Sequence, residues 1–211
     1  MPASEGDIAL LRDIVQRHCI QYGDFTLASG RSSSYYYNGK LATLHPPTAS
    51  LIGEILVDLI IDSGAEAVGG PAVGAIPIAC AVGRASLDRK RFLPVFIVRM
   101  EQKQHGAKER IAESLTLEGG ATLITPGRRV AIVEDAITTG GSVKKAIDAV
   151  EELKAEVTLI AVLVERHEGG GDLLRDSGYD VLSLFRTNEE GVLSVNQDFL
   201  RRIEAVGVTN G

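Results

Sequence analysis

The sequence predicts an α/β fold in which a parallel central sheet is flanked by helices. Three apolar runs, Leu93–Val98, Arg129–Val133 and Val157–Val164, alternate with helical segments, and Ala67–Gly69 and Asp180–Phe185 predict two further strands. Continuous aliphatic strands between helices are typical of a parallel sheet that helices cover on both faces. In such sheets ligands bind beyond the carboxyl ends of the strands, so the residues that follow each strand are the candidates for chemistry.

The N-terminal segment predicts a helix and a pair of short strands. Ser4 is a suitable N-cap for an amphipathic helix over about residues 5–21. Phe25–Ser29 and Ser33–Asn38 predict two short strands around Gly30-Arg31. We expect this segment to form a small structure beside the main sheet.

The remaining helices follow from apolar spacing and from residues that start or stop helices. Pro46-Pro47 opens a helix that Gly64 ends. Three further helices are predicted. One begins at Ala75, one spans about Gly141 to Lys154, and one lies near Asp172–Asp176. The polar segment beyond Thr187 is expected to be a terminal extension, and Cys80 to lie in a buried helical run.

Composition and charge exclude several classes of function. The chain has 211 residues, of which 45% are apolar and 24% charged, and its net charge is −6. The acidic total argues against a broad nucleic-acid surface. No basic-then-apolar leader and no run of ~20 apolar residues is present, and two cysteines cannot form a disulfide framework or a zinc site. We therefore expect one cytoplasmic domain over residues 1–211 with no membrane or nucleic-acid partner, in which a local basic cluster holds any anionic ligand.

The strand over Arg129–Val133 is followed by the most informative motif of the sequence. Two acids, Glu134 and Asp135, precede a small, hydroxyl-rich and glycine-rich turn and then a helix. The amides and the positive dipole end of a helix N-terminus bind phosphate, and carboxylates just before it can accept hydrogen bonds from sugar hydroxyls. The order of residues differs from the Walker A and dinucleotide-binding patterns. The motif therefore predicts a site for a ribose 5-phosphate.

This motif resembles that of the type I phosphoribosyltransferases, which bind 5-phosphoribosyl 1-diphosphate (PRPP). The resemblance implies that Glu134 and Asp135 contact the ribose hydroxyls and that the following loop holds the 5′-phosphate. The residues that it places around PRPP are Glu134, Asp135, Ala136, Ile137, Thr138, Thr139, Gly140, Gly141 and Ser142.

Three further segments resemble the orotate phosphoribosyltransferases within this family. Phe25–Arg31 with Tyr35–Asn38 is similar to their N-terminal hood, formed here mainly from residues 1–45. Arg99–Gly106 is similar to their flexible catalytic loop, about residues 99–115 here, and Val164–Gly170 to the segment that recognises orotate.

The resemblance implies roles for individual residues in binding the base and expelling diphosphate. Arg166 offers a rigid fork that binds a carboxylate such as that of orotate. Thr138, Tyr36 and Tyr37 would also contact the base. The implied catalytic residues are Arg99, Lys103, His105 and Asp135, of which Arg99, Lys103 and His105 also bind PRPP.

The implied activity is phosphoribosyl transfer from PRPP to orotate, which gives orotidine 5′-phosphate and diphosphate in pyrimidine synthesis. The resemblance further implies a homodimer with shared active sites and Mg²⁺ bound mainly through PRPP rather than by a protein metal site.

The chain departs from the family at three positions: Ala28 and Met100 replace lysines of many members, and Val73 replaces a lysine of some members. Backbone amides of Ala72–Ala75 are expected to bind diphosphate instead. Alternatives are another type I phosphoribosyltransferase, for a purine or uracil, or a PRPP-binding regulator with weakened catalysis.

Overall fold

The computed structural model describes residues 4–26, 32–100, 110–113 and 122–209. Over these ranges the chain alternates helices and strands in the following order: α1 (Glu5–Cys19), β1 (Ile20–Thr26), β2 (Ser32–Tyr37), α2 (Lys40–Thr43), α3 (Pro46–Asp62), β3 (Ala67–Pro71), α4 (Ala75–Asp88), β4 (Val95–Val98), β5 (Ile111–Glu113), β6 (Arg129–Ile137), α5 (Gly141–Glu152), β7 (Glu156–Glu165), α6 (Gly170–Asp176), β8 (Val181–Thr187), β9 (Leu193–Val195) and α7 (Gln197–Thr209).

The main sheet has the strand order β5-β4-β3-β6-β7-β8-β9. Strands β4, β3, β6, β7 and β8 are parallel, whereas β5 and β9 pair antiparallel at the two edges. The chain runs outward from β3 to β4 and then returns to the other side of β3 at β6. The strand order therefore reverses between β3 and β6, the position where open α/β sheets bind ligands.

Residues of β6 face two hydrophobic clusters in alternation. Ala131 and Val133 belong to the cluster that includes α1, α3, α4 and α7, whereas Val130 and Ile132 belong to the cluster that includes α5. Because successive side chains of a strand point to opposite faces, the two clusters lie on opposite faces of the sheet. The predicted sheet with helices on both faces is confirmed.

Local signals place the first helices. Ser4 accepts a hydrogen bond from the Asp7 amide, and the Asp7 side chain bonds back to Ser4, which completes a capping box. Prolines occupy the first positions of α3, where a backbone N–H donor has no partner within the helix. Gly64 adopts a φ of +77° just after the helix.

Several predicted boundaries are wrong. The helix predicted to about residue 21 ends at Cys19, and β1 begins at once at Ile20 rather than at Phe25. The short helix α2 and the edge strand β5 have no counterpart in the prediction. Cys80 is exposed rather than buried, because it faces outward from α4.

The segment beyond Thr187 is not an extension. Strand β9 pairs with β8, and α7 packs on the core through Phe199 and Val206, which are 0% and 4% exposed. Over the described parts of the chain, no helix is both long and apolar enough to cross a membrane.

Candidate active site

The two acids of the motif lie within β6, which continues to Ile137, four residues past the predicted end. Glu134 is only 5% exposed, and Asp135 is half-buried. Both lie near the carboxyl end of the strand beside the switch in strand order. The sheet therefore delivers two adjacent carboxyl groups to the position where a ligand is expected.

Asp135 lies where three segments converge. A Cβ added to Gly74 would come within 2.4 Å of its carboxylate, and one added to Gly39 within 2.8 Å. The Tyr37 hydroxyl donates to the Asp135 backbone carbonyl over 3.3 Å. The β2–α2 junction and the β3–α4 loop thus both approach Asp135, and the absence of side chains at the two glycines makes room for its carboxylate.

Burial and a neighbouring charge change the protonation of this site. Burial raises the pKa of Glu134 well above its usual range, and the adjacent Asp135 carboxylate raises it further, while Lys40 acts weakly in the opposite direction. The pKa of Tyr37 is also raised, first by burial and then by Asp135. The electrostatic environment therefore favours a neutral Glu134 carboxyl.

The turn after β6 is open to solvent and ends at the N-terminus of α5. Gly140 precedes the helix with a φ of +80°, a conformation that suits glycine. Thr139, Gly141 and Ser142 are exposed, and Thr138 is half-buried. Exposed hydroxyls and first-turn amides at a 12-residue helix provide hydrogen-bond donors for a phosphate group.

The β3–α4 loop does not offer all the amides that were expected to bind diphosphate. The Ala72 amide donates to the Val98 carbonyl over 2.8 Å, so it extends the pairing of β3 with β4. The Ala72–Val73 peptide bond is cis, and Val73 is 64% exposed. The expectation is wrong for Ala72, because its amide is part of the sheet.

Arg166 is buried directly after β7, with 7% of its surface exposed. Its Nε donates to the Tyr35 hydroxyl over 3.3 Å, and its guanidinium carbon lies 4.7 Å from the centre of the Tyr35 ring. A terminal nitrogen lies 3.1 Å from a Glu168 carboxylate oxygen. The side chain is therefore fixed on one edge and one face and faces a carboxylate at its outer end.

The Arg166 segment is hydrogen-bonded through its backbone to the turn that follows β6, residues 138–142, which we call the phosphate turn, and to the end of β6 before it. The Arg166 amide donates to the Ile137 carbonyl over 2.8 Å, and the Gly170 amide to the Thr138 carbonyl over 2.9 Å. A Cβ on Gly170 would lie 2.3 Å from that Thr138 carbonyl oxygen. The predicted base-binding and phosphate-binding segments are thus adjacent and in close contact.

Glu165 forms a second buried carboxyl centre beside Arg166. Arg175 donates to both of its oxygens, over 2.8 and 2.6 Å, and the Ser183 hydroxyl donates over 2.6 Å. Burial acts to raise the pKa of Glu165, but the hydrogen bonds from Arg175 and Ser183 outweigh it and lower the pKa below its usual value. Sequence reasoning missed this network, whose members lie up to 18 residues apart.

The tyrosines of β2 occupy different faces. Tyr35 and Tyr37 are buried, whereas Tyr36 is 43% exposed and its ring lies 5.7 Å from that of Phe25. The structure thus brings Tyr35 to Arg166 and Tyr37 to Asp135. The two-residue period of a strand is the signal that could have identified Tyr35, since adjacent Tyr36 and Tyr37 cannot share a face.

Of the predicted loop cations, the structure describes Arg99 alone. Arg99 is exposed, and its amide donates to the Arg110 carbonyl over 2.7 Å. Lys103 and His105 lie outside the described residues, as does Ala28. Arg110 forms an ion pair with Glu152 of α5. No group of three potential metal-ligating side chains occurs among the described residues.

The fold and the strand–acid–turn–helix site indicate a transferase that acts on a sugar phosphate. Comparison with known proteins identifies its family. Residues 44–194 match the phosphoribosyl transferase domain, so the chain belongs to the phosphoribosyltransferase family. It is 39% identical to the orotate phosphoribosyltransferase of Bradyrhizobium diazoefficiens, over 86% of this chain and 94% of that protein.

Solved structures agree. The orotate phosphoribosyltransferase of Mycobacterium tuberculosis, crystallised with Fe(III) dicitrate, is 34% identical with a TM-score of 0.72, over 88% of this chain and 99% of that one. Its complex with PRPP matches at 28% identity and a TM-score of 0.68, over 89% and 93%. Within the family, the chain is grouped by these relatives with the orotate phosphoribosyltransferases.

Proposed function

We propose that this protein transfers the phosphoribosyl group of PRPP to orotate, which yields orotidine 5′-phosphate and diphosphate in pyrimidine synthesis. The observation that carries the proposal is the contact between the Arg166 segment and the phosphate turn at Ile137 and Thr138. A buried arginine whose segment is hydrogen-bonded to the proposed phosphate site suits a base that bears a carboxylate. Membership of the family and the likeness to orotate phosphoribosyltransferases support the same assignment.

The geometry gives each part of the substrate a partner. Exposed hydroxyls and amides from Thr138 to Ser142 would hold the 5′-phosphate. Asp135, which is half-buried between two glycines, would accept hydrogen bonds from the ribose hydroxyls together with Glu134. Ala136 and Ile137, the last two residues of β6, lead into this turn and are proposed PRPP contacts on the family resemblance. Burial raises the pKa of Glu134 and so favours its protonated form, which can donate a hydrogen bond as well as accept one.

The base would lie between the hood and the Arg166 segment. Arg166 would pair with the orotate carboxylate, and Thr138 with the edge of the ring. Tyr36 and Tyr37 are proposed base contacts on the family resemblance, with Tyr36 the more accessible of the two.

Departure of diphosphate places negative charge on the leaving oxygen, which cations must stabilise. We assign this role to Arg99, Lys103 and His105 on the family resemblance. Two adjacent carboxyls do not form a complete cage for Mg²⁺, which prefers oxygen ligands and retains several waters. Mg²⁺ would therefore bind mainly through PRPP, where it neutralises charge on the diphosphate.

On the same resemblance we propose a cytoplasmic homodimer in which each subunit contributes to its partner's site.

A panel of bases tests the proposed reaction. The purified protein is assayed with PRPP and Mg²⁺ against orotate, uracil, hypoxanthine and adenine. Orotate turnover well above the other three is expected. Turnover of a purine or of uracil without orotate would assign the chain to another specificity within the family.

A second candidate function is PRPP binding without efficient transfer. Val73, 64% exposed in the β3–α4 loop, stands where some members have a lysine, and this observation favours weakened catalysis. Calorimetric binding of PRPP without turnover of any base in the panel would support the regulator. A measurable rate that falls strongly in Lys103→Ala would exclude it.

A further inference from the structure

We propose that Tyr35 is the positioning residue for Arg166 and that it thereby sets the preference for a base bearing a carboxylate. The inference rests on the proposed function, because it takes Arg166 as the group that pairs with orotate. Tyr35 lies 131 residues before Arg166 in the chain, on a strand of the separate two-stranded sheet.

Tyr35 holds Arg166 in two ways. The guanidinium carbon lies 4.7 Å from the centre of the ring, within the distance for cation–π attraction. The hydroxyl accepts a hydrogen bond from Nε over 3.3 Å. Both side chains are buried, with 4% and 7% exposed. One face and one edge of the guanidinium are therefore fixed, so its terminal nitrogens have a defined direction.

A chain of hydrogen bonds orients the Tyr35 hydroxyl. Arg166 Nε is a donor only, so the Tyr35 oxygen accepts from it. The same hydroxyl is hydrogen-bonded to Thr187 Oγ1, 2.9 Å away, in a pair where either oxygen can be the donor. Thr187 Oγ1 also accepts from the His167 amide over 3.3 Å. The end of β8 and the segment after β7 thus jointly fix the position of this hydroxyl.

The ring of Tyr35 is itself tightly seated. A Cβ on Gly191 would lie 2.6 Å from the ring, so only glycine fits there, and Gly191 has a φ of +79°. Gln16 of α1 donates to the Gly191 carbonyl over 3.2 Å and accepts from the Leu193 amide over 2.6 Å. The β8–β9 turn, which Gln16 of α1 holds by two hydrogen bonds, therefore packs against the Tyr35 ring.

The outer end of Arg166 is suited to a carboxylate. Its terminal nitrogen lies 3.1 Å from Glu168 Oε1 in this structure. A cleft of about 270 Å³ adjoins this side chain and is also lined by Arg186, Thr187 and His167. A substrate carboxylate that pairs with Arg166 would replace Glu168 there, and the fixed inner edge would keep the fork in position during the exchange.

The test removes one atom. Tyr35→Phe keeps the ring and removes the hydroxyl, so we expect the KM for orotate to rise about tenfold, as for loss of one hydrogen bond to a charged group. The KM for PRPP should stay within about twofold, because the Tyr35 hydroxyl is hydrogen-bonded to Arg166 and Thr187 and not to the residues proposed to hold the 5′-phosphate. Tyr179→Phe is the matched control, since it removes a hydroxyl that bonds to Glu151 on the surface.

A second pair of variants separates positioning from folding. Thr187→Ser keeps the acceptor and should retain the orotate KM, whereas Thr187→Val removes it and should reproduce the effect of Tyr35→Phe. Equal rises in both KM values, or no change in Tyr35→Phe, would overturn the inference while the proposed function stands. Absence of orotate turnover in the unmodified protein would overturn the proposed function and this inference with it.

Discussion

Glu134 and Glu165 lie on the neighbouring strands β6 and β7, three residues apart in register, and behave in opposite ways. They lie near the carboxyl ends of β6 and β7 and are 5% and 6% exposed. The pKa of Glu134 is raised by burial and by Asp135, whereas that of Glu165 is lowered because Arg175 and Ser183 donate to it. At similar solvent exposure, the partners of a carboxyl group decide the direction in which its pKa shifts.

The difference separates a binding centre from a structural one. Glu165 has its oxygens occupied by three hydrogen bonds from the protein. Glu134 accepts from the Asp135 amide over 3.1 Å and has a second carboxyl as its neighbour. A ligand with hydroxyl groups would therefore find partners at the end of β6, while the end of β7 holds the fold around Arg166.

Removal of the Glu165 charge should have the largest effect on stability. Glu165→Gln removes the carboxylate that accepts two hydrogen bonds from Arg175, which keeps Asp172 as a partner, so we expect a cost of up to about 3 kcal/mol. Glu134→Gln should not destabilise the protein in this way, because it removes a carboxyl group whose raised pKa makes its ionisation unfavourable to the folded state. Urea unfolding at pH 7 measures both. Equal destabilisation would show that burial alone governs the two sites.

Crowding of the Glu165 carboxyl offers a second way to separate the sites. A Cβ on Gly171 would lie 2.2 Å from Glu165 Oε1, so Gly171→Ala must displace the carboxylate from Arg175. Overpacking of this kind costs about 2 kcal/mol. Gly207→Ala is the matched control in α7, where nothing lies within 4 Å, and it should stabilise by up to about 1 kcal/mol. A neutral Gly171→Ala would mean that the network tolerates displacement.

Asp135→Asn should make the titration of the remaining carboxyl group, that of Glu134, more like that of an isolated carboxyl group. Because the Asp135 charge raises the pKa of Glu134, its removal should lower that pKa. We also expect the KM for PRPP to rise about tenfold, since a hydrogen bond to a charged group is lost. Circular dichroism should show an unchanged fold. An unaltered KM for PRPP would contradict the ribose role of Asp135.

Sequence patterns predicted the parts of this molecule that depend on neighbours in the chain. The Ser4 cap and the order of strand, acids, turn and helix around Glu134 follow from local chemistry, and the structure has both. Phe199 and Val206 form an apolar face of α7 that the same spacing rule could have identified.

Contacts between distant segments could not be predicted in this way. Tyr35 meets Arg166 across a separation of 131 residues, and no local pattern records that contact. Glu165 likewise acquires its partners from α6 and β8 once the sheet has formed. Its negative charge was visible in the sequence, but whether that charge would be paired depended on tertiary structure.

The smallest expected effects are on the pH dependence of the free energy of unfolding, which tests the same comparison between Glu134 and Glu165. A raised pKa in the folded state means that Glu134 supports stability fully below the ordinary value of 4.5, and that this contribution is lost as pH rises through the folded pKa. Glu165 has the opposite sign: its contribution is present above 4.5 and is lost as pH falls through its lowered pKa.

Each substitution should therefore flatten a different limb of the profile. Urea unfolding between pH 3 and 8, with a slope of at most about 1.4 kcal/mol per pH unit for one group, gives the measurement. Glu134→Gln should reduce the decline above pH 4.5, and Glu165→Gln the decline below it. If both variants altered the same limb, the two carboxyls would share one protonation behaviour, and the division between a binding carboxyl and a structural one would fail.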